Sequence, residues 1–190
     1  MKATNKIIIQ LLFSVVVLLS ASSLLNAQGK YIDKKGKITF EASEELFEPV
    51  KATNESVTVI LNTETNEIAS LALMKSFRFK NSLMEEHFNE NYIESETYPK
   101  ATFKGNLLDV DFSKITETNT EVIVDGKIEL RGKEKEIRTT LNIKKSGDSI
   151  VIQGSFNVTP ADFDIEIPSI VKNKIAKEIN VSLDFKLNQK

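Results

Sequence analysis

Apolar and polar residues alternate along much of this chain. From Val122, the even positions Val122, Val124, Gly126, Ile128 and Leu130 oppose Ile123, Asp125, Lys127, Glu129 and Arg131. Ile137, Thr139, Leu141 and Ile143 continue the pattern, and so do Ile150, Ile152, Gly154, Phe156 and Val158. It is clearest at the end, where Ile179, Val181, Leu183, Phe185 and Leu187 oppose Asn180, Ser182, Asp184 and Lys186. A period of two predicts strands with one apolar and one wet face. Shorter runs predict four more: residues 37–42 with Ile38 and Phe40, residues 57–61, a long apolar stretch over 68–79, and residues 101–107 with Phe103, Gly105 and Leu107.

Residues 131–136 and 145–148 read as hairpin loops, so the second half is a run of antiparallel neighbours. Asp125-Gly126 is also a turn signal, but the apolar parity runs unbroken across it. Gly126 is read as an inward glycine or a bulge, with a true turn as the alternative. Eight amphipathic strands close into an all-β antiparallel barrel or stack as a two-sheet sandwich. The inward Gly105, Gly126 and Gly154 allow sharp strand curvature or leave room for a guest.

One segment breaks the alternation. NSLMEEHFNENY (residues 81–92) fits a short helix after the third strand, capped by Asn81 or Ser82, with Glu85 and Glu86 in its first turn. Leu83, Met84, His87 and Phe88 share a face at helical spacing. Tyr98-Pro99 marks the return to strand.

Charge and composition narrow the function. Residues 1–27 have the layout of a secretory signal: Lys2 and Lys6, an apolar run, small residues, then Ala27 as the cleavage position, although Leu25 at −3 is not small. An uncleaved anchor is the rival, and Gln10 and Ser14 within the apolar run favour removal. The expected division is a signal at 1–27 and one domain over 28–190, exported to the periplasm or secreted, with no membrane span after cleavage. Cleavage removes two of 25 basic side chains and none of 27 acidic ones, taking the net charge from −2 to −4. A mildly acidic domain lacks the basic face that nucleic acid requires. There is no cysteine, so neither a disulfide nor a lipidated cysteine forms.

Glu85, Glu86 and the single histidine, His87, invite a catalytic reading. A zinc-protease helix needs two histidines, and there is no strand-turn-helix nucleophile elbow and no cysteine. A carboxylate pair among the acids is not readable from spacing. The chain is therefore read as a non-enzyme without cofactor or metal. A hydrolase at the Glu85–His87 patch is kept as an alternative. For His87, a hydrogen-bonded role at the rim and a contact to a ligand head group are both open.

The segments FRF (residues 77–79), LMEEHFNENYIES (83–95) and YPKATFKG (98–105) resemble the signature of the YceI-like proteins. VDGKIELRGKEKEI (124–137), FNVTPADFDIEIPSI (156–170) and KIAKEINVSLDF (174–185) extend the likeness over about residues 30–187. That resemblance implies an extended eight-stranded lipocalin-like barrel around a long apolar tunnel, and a polyisoprenoid-type lipid as its guest. Many relatives carry a histidine after the opening aspartate, where this chain has Asp33-Lys34-Lys35-Gly36-Lys37. The expected function is sequestering or carrying an isoprenoid or other long apolar lipid. The expected lining is Phe77, Phe79, Phe103, Val124, Ile128, Phe156, Phe163, Leu183 and Phe185, with Met84, His87 and Phe88 at the mouth. An outer-membrane barrel, a filled adhesion or binding module, and a homodimer remain alternatives.

Overall fold

The structure, a computed structural model, describes residues 29–44 and 47–190. The expected signal segment lies outside the described residues. The strands are β1 (Lys30–Ser43), β2 (Lys51–Asn62), β3 (Glu67–Leu73), β4 (Arg78–Phe79), β5 (Lys100–Leu107), β6 (Thr120–Leu130), β7 (Lys133–Ser146), β8 (Ser149–Val158) and β9 (Ile175–Gln189). Every pairing is antiparallel, in the order β1-β9-β8-β7-β6-β5-β3-β2, and β1 pairs with β2 to close the ring. The result is a closed eight-stranded barrel with one short helix, not a sandwich. β4 is a two-residue piece that pairs with Ala52 and Thr53 of β2, further along the lane that β3 occupies.

The stretch expected as one strand over 68–79 is thus two. A 3-10 turn, Met74–Ser76, separates them. The turn faces the fully buried Asn54, whose Nδ2 donates to the Leu73 carbonyl at 3.0 Å. Its Oδ1 accepts from Ser56 N and Ser56 Oγ, each at 2.9 Å. A side-chain amide thereby satisfies backbone that the interruption strips of ladder bonds.

The β6–β7 loop is tighter than its sequence suggests. β7 begins at Lys133, so only Arg131 and Gly132 form the turn, at φ 50° and 70°. Two positive φ values match the right-handed twist of the flanking strands in a two-residue hairpin. Gly126 is mid-strand, paired with Gly105 on one side and Ile137 on the other.

Apolar residues face inward, and the exposed outer face carries residues such as Lys127 and Glu129 on β6 and Asp184 and Lys186 on β9. An outer-membrane barrel has the opposite arrangement. The interior has two zones. At one end, Val57, Val59, Leu61, Leu107, Ile143, Ile152 and Leu187 are buried, and the loop over 108–119 adds Ile115 beneath them. Towards the other end, the same inward faces become accessible. On β9, Leu187 and Phe185 are buried, whereas Leu183, Val181, Ile179 and Ile175 are half-buried. β6, β7 and β8 change at the same level, between Val124 and Gly126, between Leu141 and Thr139, and between Ile152 and Gly154. Inward residues on four strands become accessible together only where the barrel is hollow.

Candidate functional site: an apolar cavity in half of the barrel

The hollow half encloses about 500 Å3, within the ~300–1,000 Å3 range of small-molecule sites. Phe77, Phe79, Phe103, Val124, Ile128, Phe156, Phe163, Leu183 and Phe185 all lie in its wall, together with Met84, His87 and Phe88 at the helix end. Val124 and Phe185 are at the floor, where the close-packed zone begins. Sequence reasoning left out Phe40, Met74, Ile137, Ile179 and Val181, which also line it. Ile179 and Val181 carry the same alternation as Leu183 and Phe185, and Phe40 and Ile137 lie on the apolar parity of their own strands, so parity alone would have found these four.

The notches at the glycines are filled by neighbouring side chains. Gly105 and Gly126 face each other across β5 and β6, and the Phe103 ring lies over both. A Cβ on Gly126 would fall 2.7 Å from Phe103 Cζ and 2.4 Å from the Lys104 carbonyl oxygen. At Gly154, Leu141 Cδ2 fills the notch at 2.5 Å. The glycines seat neighbouring side chains close to the wall and so keep the lumen behind them open.

A helix, α1 (Ser82–His87), crosses the open end and runs into a π-turn, Phe88–Tyr92. Asn81 is its cap, with Oδ1 accepting from Leu83 N at 2.9 Å. Glu85 accepts from Arg78 Nη1 at 2.7 Å and from Phe79 N at 3.1 Å, which fastens α1 to β4. Phe88 packs at 5.2 Å from Phe40, 5.2 Å from Phe79 and 5.9 Å from Phe77, centroid to centroid. Phe40 joins the same cluster at 5.4 Å from Phe77. Leu83 is the exception to the expected helix face. It is 55% exposed, because only Met84, His87 and Phe88 turn towards the cavity.

Glu85 is taken by Arg78 and by the Phe79 amide, and Glu86 and His87 are exposed. His87 lies at the rim, and its side chain makes no hydrogen bond to the described residues. Among the described residues, no group of three or more His, Cys, Asp or Glu could hold a metal.

Polar groups on the wall are few. Ser70 faces the lumen, and Thr139 donates to the Ser155 carbonyl at 3.1 Å. Glu48, Tyr92 and Lys174 stand with His87 towards the open end. Lys174 Nζ sits 5.9 Å from the centroid of the Phe47 ring, within reach of a cation–π contact. The loop over 164–174 contributes Ile165, Ile167 and Val171 to the rim. Lys133 Nζ is 2.7 Å from the Asp164 carboxylate at the base of that loop. This contact holds the Asp164 carboxyl below, and the Lys133 ammonium above, its ordinary range.

Asp33-Lys34-Lys35-Gly36-Lys37 forms an irregularity in β1 outside the cavity. The Asp33 carboxylate accepts from Lys35 N at 2.7 Å and Lys186 N at 2.8 Å, which makes it a backbone clamp between β1 and β9.

An antiparallel eight-stranded barrel, packed at one end and hollow and apolar at the other, is a lipocalin-like barrel. The chain belongs to the YceI-like domain family, which matches residues 30–187. No curated protein matches it. It resembles the solved structure of a polyisoprenoid binding domain from Saccharophagus degradans implicated in plant cell wall breakdown, at a TM-score of 0.73 and 18% identity, covering 86% of this chain and 99% of that one. BcnA from Burkholderia cenocepacia is similar at a TM-score of 0.66 and 15% identity, covering 82% and 98%. The Campylobacter jejuni YCEI protein follows at 0.62 and 14%, covering 76% and 87%. At these identities the likeness is one of fold.

Proposed function

We propose that this protein is an exported binding protein that sequesters or carries an isoprenoid-type lipid, with the apolar tail in the barrel cavity. The observation that carries this reading is the hollow half of the barrel, about 500 Å3, walled by inward apolar faces of strands whose outer faces are charged. Burying a few hundred Å2 of prenyl surface at ~25 cal/mol per Å2 contributes on the order of several kcal/mol without any reactive group. The cavity wall is the chemistry such a tail needs: many apolar contacts and few polar groups. The solved polyisoprenoid binding domain of the same fold supports the choice of tail. The layout of residues 1–27 supports export to the periplasm or beyond.

The cavity also bounds the tail. The inward face of β9 is accessible from Ile175 to Leu183. Eight residue steps at ~3.3 Å, tilted by about 40°, give a depth of roughly 20 Å. That depth suits a farnesyl or geranylgeranyl chain lying straight and leaves part of a longer polyprenyl chain at the mouth.

Protein purified from its native host is to be extracted and its lipids analysed by mass spectrometry, beside uptake of a fluorescent geranylgeranyl probe. A co-purifying prenyl lipid and saturable uptake are expected. Absence of both overturns the reading.

A further inference from the structure

In a closed antiparallel barrel each strand pairs along both edges, and β7 and β8 depart from this. They pair from Ser146↔Ser149 to Leu141↔Gly154 and no further. β7 keeps its ladder with β6 down to Lys133, and β8 keeps its ladder with β9 up to Val158. Residues 133–140 of β7 and 155–158 of β8 therefore face each other without a ladder.

The seam is a bounded gap. At its inner limit, the Thr139 hydroxyl bonds to the Ser155 carbonyl. At its outer limit, Lys135 Nζ lies 3.0 Å from the Asp162 carboxylate of the 3-10 turn Pro160–Phe163. Between them is a groove of about 570 Å3, with Arg138, Asn157 and Asn180 on the solvent side. Ile137, Thr139, Phe156 and Val158 belong both to this groove and to the main cavity. Their parity is inward, so these four side chains stand between the groove and the cavity.

We propose that the β7–β8 seam is a side portal through which an apolar tail enters and leaves the cavity. The inference rests on the lipid-binding reading. Parting β6 from β7, or β8 from β9, at this level breaks a row of backbone hydrogen bonds. Among the described residues, parting β7 from β8 at this level breaks the Thr139–Ser155 bond and the Lys135–Asp162 and Lys133–Asp164 ion pairs, and exposed ion pairs hold weakly. The tail meets apolar side chains on crossing, while its polar end stays among Arg138, Asn157 and Asn180. The charged and amide side chains at the seam also shield two unpaired edges from strands of other molecules.

A staple tests this directly, because the chain contains no other cysteine. Continuing the register of Leu141↔Gly154 places Arg138 opposite Asn157, both outward. In the double variant Arg138→Cys, Asn157→Cys, oxidation is expected to slow uptake of the fluorescent geranylgeranyl probe about tenfold or more, and reduction to restore it. A short bis-maleimide bridges the same pair if the thiols do not meet. Lys135→Ala, which removes the outer latch, is expected to speed exchange. Equal uptake rates in bridged and open protein overturn the portal and leave the binding reading intact. Failure of the unaltered protein to take up the probe overturns the binding reading, and the portal with it.

Discussion

Arg131 and Glu94, 37 residues apart in the chain, are joined by a salt bridge at the cavity rim. The same guanidinium donates to the main-chain carbonyl of Asp164. Arg131, Glu94 and Asp164 have φ of 50°, 53° and 54°, so three turns each hold a non-glycine residue in the left-handed region. One forked side chain ties the β6–β7 hairpin, the end of the helical segment and the loop after β8. The mouth is therefore a single unit.

Arg131→Ala should lower the unfolding free energy by about 1–3 kcal/mol, as removal of charge-assisted hydrogen bonds from a half-buried group does. Arg131→Lys should recover only part of this, since an ammonium does not span two acceptors as a planar fork does. Urea unfolding of the three proteins measures both effects.

Gly126→Ala should destabilise by about 1–3 kcal/mol. The added methyl meets backbone, the Lys104 carbonyl oxygen at 2.4 Å and Gly105 Cα at 2.6 Å, and backbone does not yield. It also displaces the Phe103 ring towards the lumen, so weaker uptake of the geranylgeranyl probe should accompany the lowered urea midpoint.

The pH response of the rim follows from Lys133 and Asp164. Asp164 titrates below its ordinary 3.8, first because Lys133 donates to it and then because of the Lys133 charge. Its contribution is present at neutral pH and is lost as pH falls through the lowered folded value. Lys133 titrates above its ordinary 10.5, first through its hydrogen bond to Asp164, and its contribution is lost only as pH rises through that higher value. Asp111 is also held down, to about 2, chiefly by the Ser113 hydroxyl at 2.6 Å and then by Lys114. Carboxyl titration by NMR should place both aspartates below 3.8. Lys133→Ala should return Asp164 towards it while leaving Asp111 unchanged.

Affinity for prenyl alcohols should rise from geraniol to geranylgeraniol and then level off, because a longer chain cannot pass Phe185 and Val124. Phe185→Ala should move the plateau to longer chains, at a cost of about 3–5 kcal/mol in stability. Competition against the fluorescent probe over a series of chain lengths measures the plateau. A continued rise to octaprenol in the unaltered protein would place the floor elsewhere.

The strand faces were legible because side-chain direction in a strand is a local property. Ile179, Val181, Leu183 and Phe185 alternate whatever surrounds them, and so do Val124, Gly126 and Ile128. The cap was legible for the same reason, since Asn81 reaches an amide two residues away. The break between β3 and β4 was not, because Asn54, which satisfies it, is on another strand 19 residues earlier. Nor was the Arg131 clamp, whose partners lie 37 and 33 residues away.

By itself the chain determined which residues point inward, that eight strands close the wall, and that one acidic, aromatic segment interrupts them. Only the closed barrel decided how far inward space stays empty. Leu183 and Phe185 share one face and one chemistry, yet one borders the hollow and the other the packed floor. That difference depends on which side chains arrive from β1, β2 and the loop over 108–119, and no period along a single strand records it. The same holds at the β7–β8 seam, where each strand alternates normally and the tertiary structure decides where their ladder ends.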